Sequence, residues 1–290
     1  MALLLATVIW GFAFIAQSVG MDLIGPFTFQ MVRCLLAVVF LIPCSFVLDL
    51  GKRSMKASAR EWKNPKLWKA GILCGCALFV ASSLQQIGLI YTDAGKAGFI
   101  TAMYIVLVPI LGLFLGKKVP KIAIVSVGLA VMGLYLLSCL GVTEVNVGDL
   151  FLMGCALAFA VQIQCIDHLA ADLDGFRLNC IQALTVAVIS LPFVLLTETV
   201  DIQNLLACTV PLLFAGVLSM GVAYSLQIVG QKSLEPTTAS LIMSLESVFA
   251  VLGGWWLLHE RMAVHEMIGC GLVFAAVVIS QLPQKHNIEN

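Results

Sequence analysis

The sequence predicts an all-α integral membrane protein of ten transmembrane helices, built as two inverted five-helix repeats over residues 1–140 and 141–290. Three observations lead there: a composition too apolar for a soluble surface, ten apolar runs of bilayer length, and polar matches between the two halves.

Apolar residues make up 61% of the 290 and charged residues 11%, with a mean hydropathy of +1.04. Soluble domains run at about half apolar and about a quarter charged, and much of any globular surface must meet water. Lipid removes that conflict. The formal net charge is zero, so the balance gives no case for nucleic acid. The ten cysteines lie almost entirely inside apolar runs, with no CxxC pair and no flanking His. They read as small apolar side chains, and neither a metal nor a cofactor is expected.

A bilayer core needs about 20 apolar residues per helix. Runs of that kind occupy 1–19, 27–49, 68–90, 97–115, 121–140, 148–167, 176–196, 209–231, 237–258 and 264–282. The first run lacks the basic start and small-residue cleavage pattern of a signal peptide, so it is read as the first helix. Little chain remains outside the spans for a separate soluble domain.

Lys and Arg in short loops set orientation. Lys52, Arg53, Lys56, Arg60, Lys63, Lys66 and Lys69 follow span two, and Lys117, Lys118 and Lys121 follow span four. Arg177, Lys232 and Lys285 fall on the same side, against only Lys96 and Arg261 opposite. The opposite loops carry Asp22, Asp93, Glu144, Asp149, Glu198 and Asp201. A cell-membrane, multi-pass protein with both termini cytoplasmic is expected. Trp62 and Trp68 on one side, and Trp255 and Trp256 on the other, fit interfacial anchors.

The halves match where composition alone does not force it. Ser83-Leu84-Gln85-Gln86-Ile87-Gly88 aligns with Ser225-Leu226-Gln227-Ile228-Val229-Gly230. In the second helix of each half, Phe27, Gln30, Arg33 and Pro43 align with Phe176, Asn179, Gln182 and Pro192. An odd number of spans per copy turns the second copy upside down. Inverted repeats are a common construction of secondary transporters, with the substrate site near the midplane between the copies.

The chain resembles the EamA-like family of the drug/metabolite transporter superfamily over nearly its whole length. Trp10-Gly11 with Phe14, Arg33-Cys34-Leu35-Leu36-Ala37 and Gly98-Phe99-Ile100-Thr101 through Pro109 to Gly116 carry the likeness in the first half. Ser244-Leu245-Glu246-Ser247-Val248-Phe249-Ala250 and Leu257-Leu258-His259-Glu260-Arg261 carry it in the second. The resemblance implies a ten-helix secondary carrier, in many cases an exporter of amino acids and related metabolites. Two positions depart from the family pattern: its usual Leu-Glu-Pro reads Leu245-Glu246-Ser247, and its usual Gly-Glu reads Gly116-Lys117.

Polar side chains inside a span tend to face a partner, the bundle interior or a water-filled cavity. Arg33 lies about six residues into the second helix, roughly 9 Å deep at 1.5 Å per residue. Two readings of it stand: a bidentate donor to a substrate carboxylate, or a guanidinium snorkelling to the headgroups. Gln30, one turn earlier on the same face, and the repeat mates Asn179 and Gln182 favour a cavity. Glu246 is the one carboxylate near a span centre. It suits proton coupling, direct contact with a substrate ammonium group, or helix packing through Ser244, Ser247 or Arg33. Gln85, Gln86, Gln162, Gln164 and Gln227 either join helices or line the cavity. Trp10, Phe14, Tyr104 and Tyr224 either wall it or pack against helices and lipid. Gly71-x3-Gly75, Gly112-x3-Gly116, Gly253-Gly254 and Gly269-x-Gly271 allow close helix approach, and Pro43, Pro109 and Pro192 can kink helices.

The expected substrate-binding set is therefore Trp10, Phe14, Gln30, Arg33, Gln85, Gln86, Tyr104, Gln162, Asn179, Gln182, Gln227 and Glu246. The expected activity is secondary transport of a small metabolite, an amino acid or related compound, by efflux. The two halves would rock around the site, with protons as coupling ion through Glu246. The expected partners are that small molecule and the lipid bilayer, with a monomer sufficient and a homodimer compatible. Two other classes compete: a membrane enzyme acting on a lipid-linked substrate, for which Asp167, His168, Asp172 and Asp174 form the acidic cluster, and a sensor without flux. No nucleophile–base pair, phosphate loop or metal spacing supports an enzyme.

Overall fold

A computed structural model describes residues 1–50, 54–92, 94–138, 146–257 and 262–282. Lys52, Arg53, Asp93, Cys139, Glu144, Leu258, His259, Glu260, Arg261, Lys285 and His286 lie outside those residues. The described chain is helical. In order come α1 (Ala2–Met21), α2 (Pro26–Val47), α3 (Met55–Glu61), α4 (Pro65–Tyr91), α5 (Ala94–Ala102), α6 (Tyr104–Phe114) and α7 (Lys121–Ser138). Then follow α8 (Val147–Leu169), α9 (Gly175–Thr197), α10 (Ile202–Ala207), α11 (Thr209–Leu213), a π-helical run Phe214–Ala223, α12 (Tyr224–Gln231), α13 (Pro236–Met243), α14 (Leu245–Leu257) and α15 (Val264–Ser280).

Eight of the resulting rods are long and apolar enough to cross a membrane: Ala2–Met21, Pro26–Val47, Pro65–Tyr91, Ala94–Phe114, Val147–Leu169, Gly175–Thr197, Thr209–Gln231 and Pro236–Gly253. Lys121–Leu137 and Val264–Ser280 are apolar but shorter, at the lower end of the length a bilayer core needs. These ten coincide with the ten runs read from the sequence, to within a few residues at each end.

Large apolar side chains face outward and amides face inward, as lipid demands. Val39, Phe114, Leu195, Leu196 and Val210 are each at least 70% exposed, while Gln30, Gln86, Gln162, Asn179 and Gln182 are fully buried. Helix α2 packs on α9, α4 on α8 and α9, α7 on α15, and α1 on α14 and the π-helical run. A Cβ on Gly269 would come within 2.6 Å of the Gly133 carbonyl oxygen, so α7 and α15 approach as closely as two backbones can.

The α2–α9 pair is fastened at both ends. At the first, the Glu198 carboxylate accepts the backbone N–H groups of Phe27 and Thr28 at 2.8 Å each and the Thr28 hydroxyl at 2.6 Å. It thus satisfies orphan donors at the α2 N-terminus and complements the helix dipole there. Gly25 leaves room for it, since a Cβ would sit 2.3 Å from the carboxyl carbon. At the other end Arg177 donates to Asp49 at 2.6 Å and to the Ser58 hydroxyl at 2.7 Å. It also pairs with Asp174 at 3.3 Å and lies over the Trp62 ring. Counted from the sequence as a loop charge, Arg177 is in fact 1% exposed. It ties α2, the surface helix α3 and α9 into one unit.

Removing one partner of a buried ion pair costs about 3–5 kcal/mol. Arg177→Met is expected to lower the melting temperature of the detergent-solubilised protein strongly, whereas Lys56→Met, on the exposed face of α3, leaves it unchanged. Equal melting of the two variants would show that the fastening contributes nothing.

Candidate functional site

Two of the membrane-length helices are broken. The Ala94–Phe114 rod is interrupted at Met103, between α5 and α6, and the Pro236–Gly253 rod at Ser244, between α13 and α14. Interrupted helices at membrane depth are tolerated where they are buried in protein or line a cavity. Here a cavity of about 40 Å³ lies against both breaks, lined by Thr101 and Tyr104 beside one and Met243 and Glu246 beside the other. Its wall is completed by Trp10, Phe14, Gln17, Arg33, Gln85, Phe159, Ile163, Ser219, Tyr224 and Gln227. Every one of these residues is buried. The space accommodates a few waters.

The cavity wall carries a cation. Arg33 is 3% exposed, which sets aside the snorkelling reading: the guanidinium stays inside the bundle. It donates to the side-chain oxygen of Gln17 and, at 3.1 Å, to that of Gln30. The Gln17 oxygen also receives the Gln86 amide at 2.6 Å, and the Gln30 amide donates to the Ser83 hydroxyl at 3.0 Å. The Arg33 Nε has no hydrogen-bond partner. Among the described residues the ion pairs are made by Lys96, Lys117 and Arg177, so the Arg33 charge is met by neutral amides.

The wall also carries a carboxylate. Tyr104 donates its hydroxyl to Glu246 at 3.0 Å. The partners named from the sequence are engaged elsewhere: Ser244 donates to the Leu241 carbonyl and Ser247 to the Gly98 carbonyl across the break. No ion pair joins Glu246 to Arg33 among the described residues. In the same wall the Trp10 and Tyr224 rings meet edge to face at 5.0 Å, and Tyr104 meets Phe159 at 6.4 Å.

A line of amides leads away from the cavity. Gln227 donates to Gln162 at 3.2 Å, Gln162 to Gln182 at 3.3 Å, and Gln182 to Asn179 at 3.3 Å. Asn179 then donates to the carbonyls of Met220 at 2.8 Å and Gly221 at 3.1 Å, inside the π-helical run. Such runs are rare and recur at functional sites. This one contributes Ser219 to the cavity wall, and Gly216 brings it against α2 beside the Arg33 carbonyl, 2.9 Å from a built Cβ.

Of the twelve residues singled out from the sequence, Trp10, Phe14, Arg33, Gln85, Tyr104, Gln227 and Glu246 line the cavity. Gln30 holds Arg33 directly, and Gln86 reaches it through Gln17; Gln162, Asn179 and Gln182 form the amide line. Sequence reasoning missed Gln17, Thr101, Phe159, Ile163, Ser219 and Met243. Gln17 was legible, since it continues the face of Trp10 and Phe14 one turn on. Ser219 and Met243 carried no signal, because their placement depends on the π-helical run and the break. Asp167 pairs with Lys117, and Asp174 caps α9 and pairs with Arg177, so these two acids have structural tasks.

A buried polar cavity where two interrupted membrane helices meet is the construction of a membrane transporter. The chain belongs to the EamA-like transporter family, whose sequence profile matches residues 1–139 and 146–281. It is 32% identical over 285 residues to an uncharacterized transporter of Archaeoglobus fulgidus, covering 97% of this chain and 85% of that protein. It is 23% identical over 283 residues to the uncharacterized transporter YoaV of Bacillus subtilis, covering 94% and 93%. One solved crystal structure superposes with a TM-score of 0.73 at 16% identity, over 95% of this chain and 96% of that one, a likeness of fold alone.

Removing the Asn179 amide strips donors from two carbonyls of the π-helical run, at a cost of about 1–3 kcal/mol. In Asn179→Ala, backbone hydrogen exchange across Phe214–Ala223 is expected to accelerate while exchange in α7 stays unchanged. Unaltered exchange in the run would mean that the amide line does not support it.

Proposed function

We propose that this chain is a ten-span secondary carrier made of two inverted five-helix units, 1–140 and 141–290, that exports a small zwitterionic metabolite of the amino-acid class. The observation that carries the substrate class is charge placement. A buried guanidinium and a buried carboxylate share one cavity yet form no ion pair with each other. A ligand with a carboxylate at one end and an ammonium at the other satisfies both. The aromatic side chains of the wall take an apolar side group.

The arrangement of the cavity supports the inverted repeat. Phe27 and Phe176 align 149 residues apart, and Ser83 and Ser225 align 142 apart. The first spacing relates Trp10 to Phe159 and Phe14 to Ile163. The second relates Gln85 to Gln227, Thr101 to Met243 and Tyr104 to Glu246. All ten line the cavity, and the two helix breaks fall within one residue of the same relation. Packing follows it too: α4 lies on α8 as the Thr209–Gln231 rod lies on α1, and α2 on α9, α7 on α15. A site on a pseudo-two-fold axis is what alternating access around a fixed centre requires.

In this reading Glu246 carries the coupling proton and Arg33 the substrate carboxylate. Both termini face the cytoplasm across the cell membrane, and one chain contains the whole site. The test is counterflow and gradient-driven flux in proteoliposomes, with radiolabelled amino acids, amines and sugars. Glu246→Gln is expected to abolish flux driven by an imposed pH gradient, and unchanged gradient-driven flux rules Glu246 out as the coupling group. Arg33→Met is expected to weaken amino-acid transport about tenfold or more, the worth of a hydrogen bond to a charged group. Undiminished amino-acid transport by that variant would remove Arg33 from the site.

A further inference from the structure

We infer that Gln17 occupies the seat that the substrate carboxylate takes on Arg33, and that binding hands the guanidinium from one to the other. The inference rests on the carrier reading and adds to it a residue outside the twelve singled out from the sequence. Two donors converge on the single Gln17 oxygen: an Arg33 Nη and the Gln86 amide. That is the environment of a carboxylate oxygen, yet a neutral amide fills it. Gln17 and Arg33 both line the cavity, so the seat is within reach of whatever enters. The Gln17 amide nitrogen is held only to the Ala13 carbonyl of its own helix, at 3.1 Å, which leaves the side chain free to turn aside.

The exchange runs downhill because of charge. The Arg33–Gln17 bond already has one ionised partner, and an incoming carboxylate adds the attraction of an opposite charge to the hydrogen bond, so it displaces the neutral amide from Arg33. The displacement also has a mechanical side. Gln17 belongs to α1, Arg33 to α2 and Gln86 to α4, and one oxygen joins all three. A free carboxylate in its place holds α2 and α4 together without α1. Occupancy of the site thereby loosens α1 from the fastened α2–α9 unit.

Gln17→Glu tests this directly, because it plants a carboxylate in the seat with no change of size. Three measurements decide. The variant is expected to melt at a higher temperature in detergent than the native chain, because the Arg33 charge is then paired; a lower temperature, or failure to fold, overturns the inference. It is expected to lose counterflow of L-leucine and L-phenylalanine about tenfold or more. Amino-acid counterflow within about twofold of native shows that the seat is not the substrate's. Finally, acetate is expected to raise the melting temperature of Gln17→Ala, where the seat is empty, and not that of Gln17→Glu. Equal response of the two overturns the inference. If the native protein moves no amino acid, the zwitterion reading fails, and the two melting comparisons alone decide whether this seat takes an anion.

Discussion

The site is organised around one expensive arrangement, a guanidinium buried in a membrane bundle with only amide oxygens to meet it. Taking such a charge out of water costs several kcal/mol even after relaxation. A protein that needed only stability would put an apolar residue there, as well-packed apolar replacements of buried ions are often neutral or better. The chain instead surrounds Arg33 with Gln17, Gln30 and Gln86, packs it over the Phe29 ring, and aims it at a cavity. The contrast with Arg177 is instructive. That guanidinium is equally buried but has carboxylates at Asp49 and Asp174, and it joins helices. One cation is neutralised and the other is left with a charge to offer.

The same economy of polar groups explains the irregular backbone. A membrane helix satisfies its own N–H and C=O groups, so any break needs a substitute partner. At the two breaks the substitutes are local: the Ser247 hydroxyl reaches the Gly98 carbonyl across them, and the Met103 and Ser244 peptides close tight turns with the preceding residues. In the π-helical run the substitute is Asn179, which connects through Gln182 and Gln162 to the cavity wall at Gln227. The polar residues that look excessive for such apolar helices are thus divided between two tasks. Some replace lost backbone partners, and some face the cavity.

How far the fold was legible follows from which interactions define it. Bilayer length and hydropathy are properties of each segment alone, so all ten helices and nearly all their ends could be read from composition. The site was legible to the extent that polarity in an apolar setting marks it, which is why Arg33, Glu246 and the glutamines stood out. Position along the chain could not say which amides touch the cavity. That depends on helix rotation, and Gln85 and Gln86 illustrate it: adjacent in sequence, one lines the cavity and the other turns to Gln17. Nor could it say that Glu246 would bond Tyr104 rather than its neighbouring serines, since the break between α13 and α14 redirects those serines to carbonyls. Arg177 misled for a related reason. A cation at a helix start reads as a loop charge unless the partners that bury it, Asp49 and Ser58, are known to lie beside it.

The fastening of α2 to α9 also limits how the molecule can open. The two helices belong to different halves of the sequence, yet Glu198 holds them at one end and Arg177 at the other. Moving one sequence half as a block against the other would have to break both attachments, one of them a buried ion pair whose charges would be left without partners. Motion that keeps α2 and α9 together meets no such barrier. The elements left to move are those that already lack continuous backbone hydrogen bonding, the broken rods at Met103 and Ser244, together with α1, which Gln17 ties to α2 and α4. These are the elements that carry Tyr104, Glu246, Trp10 and Phe14 into the cavity. The chain is therefore rigid where its halves are joined and interrupted where the cavity wall must part.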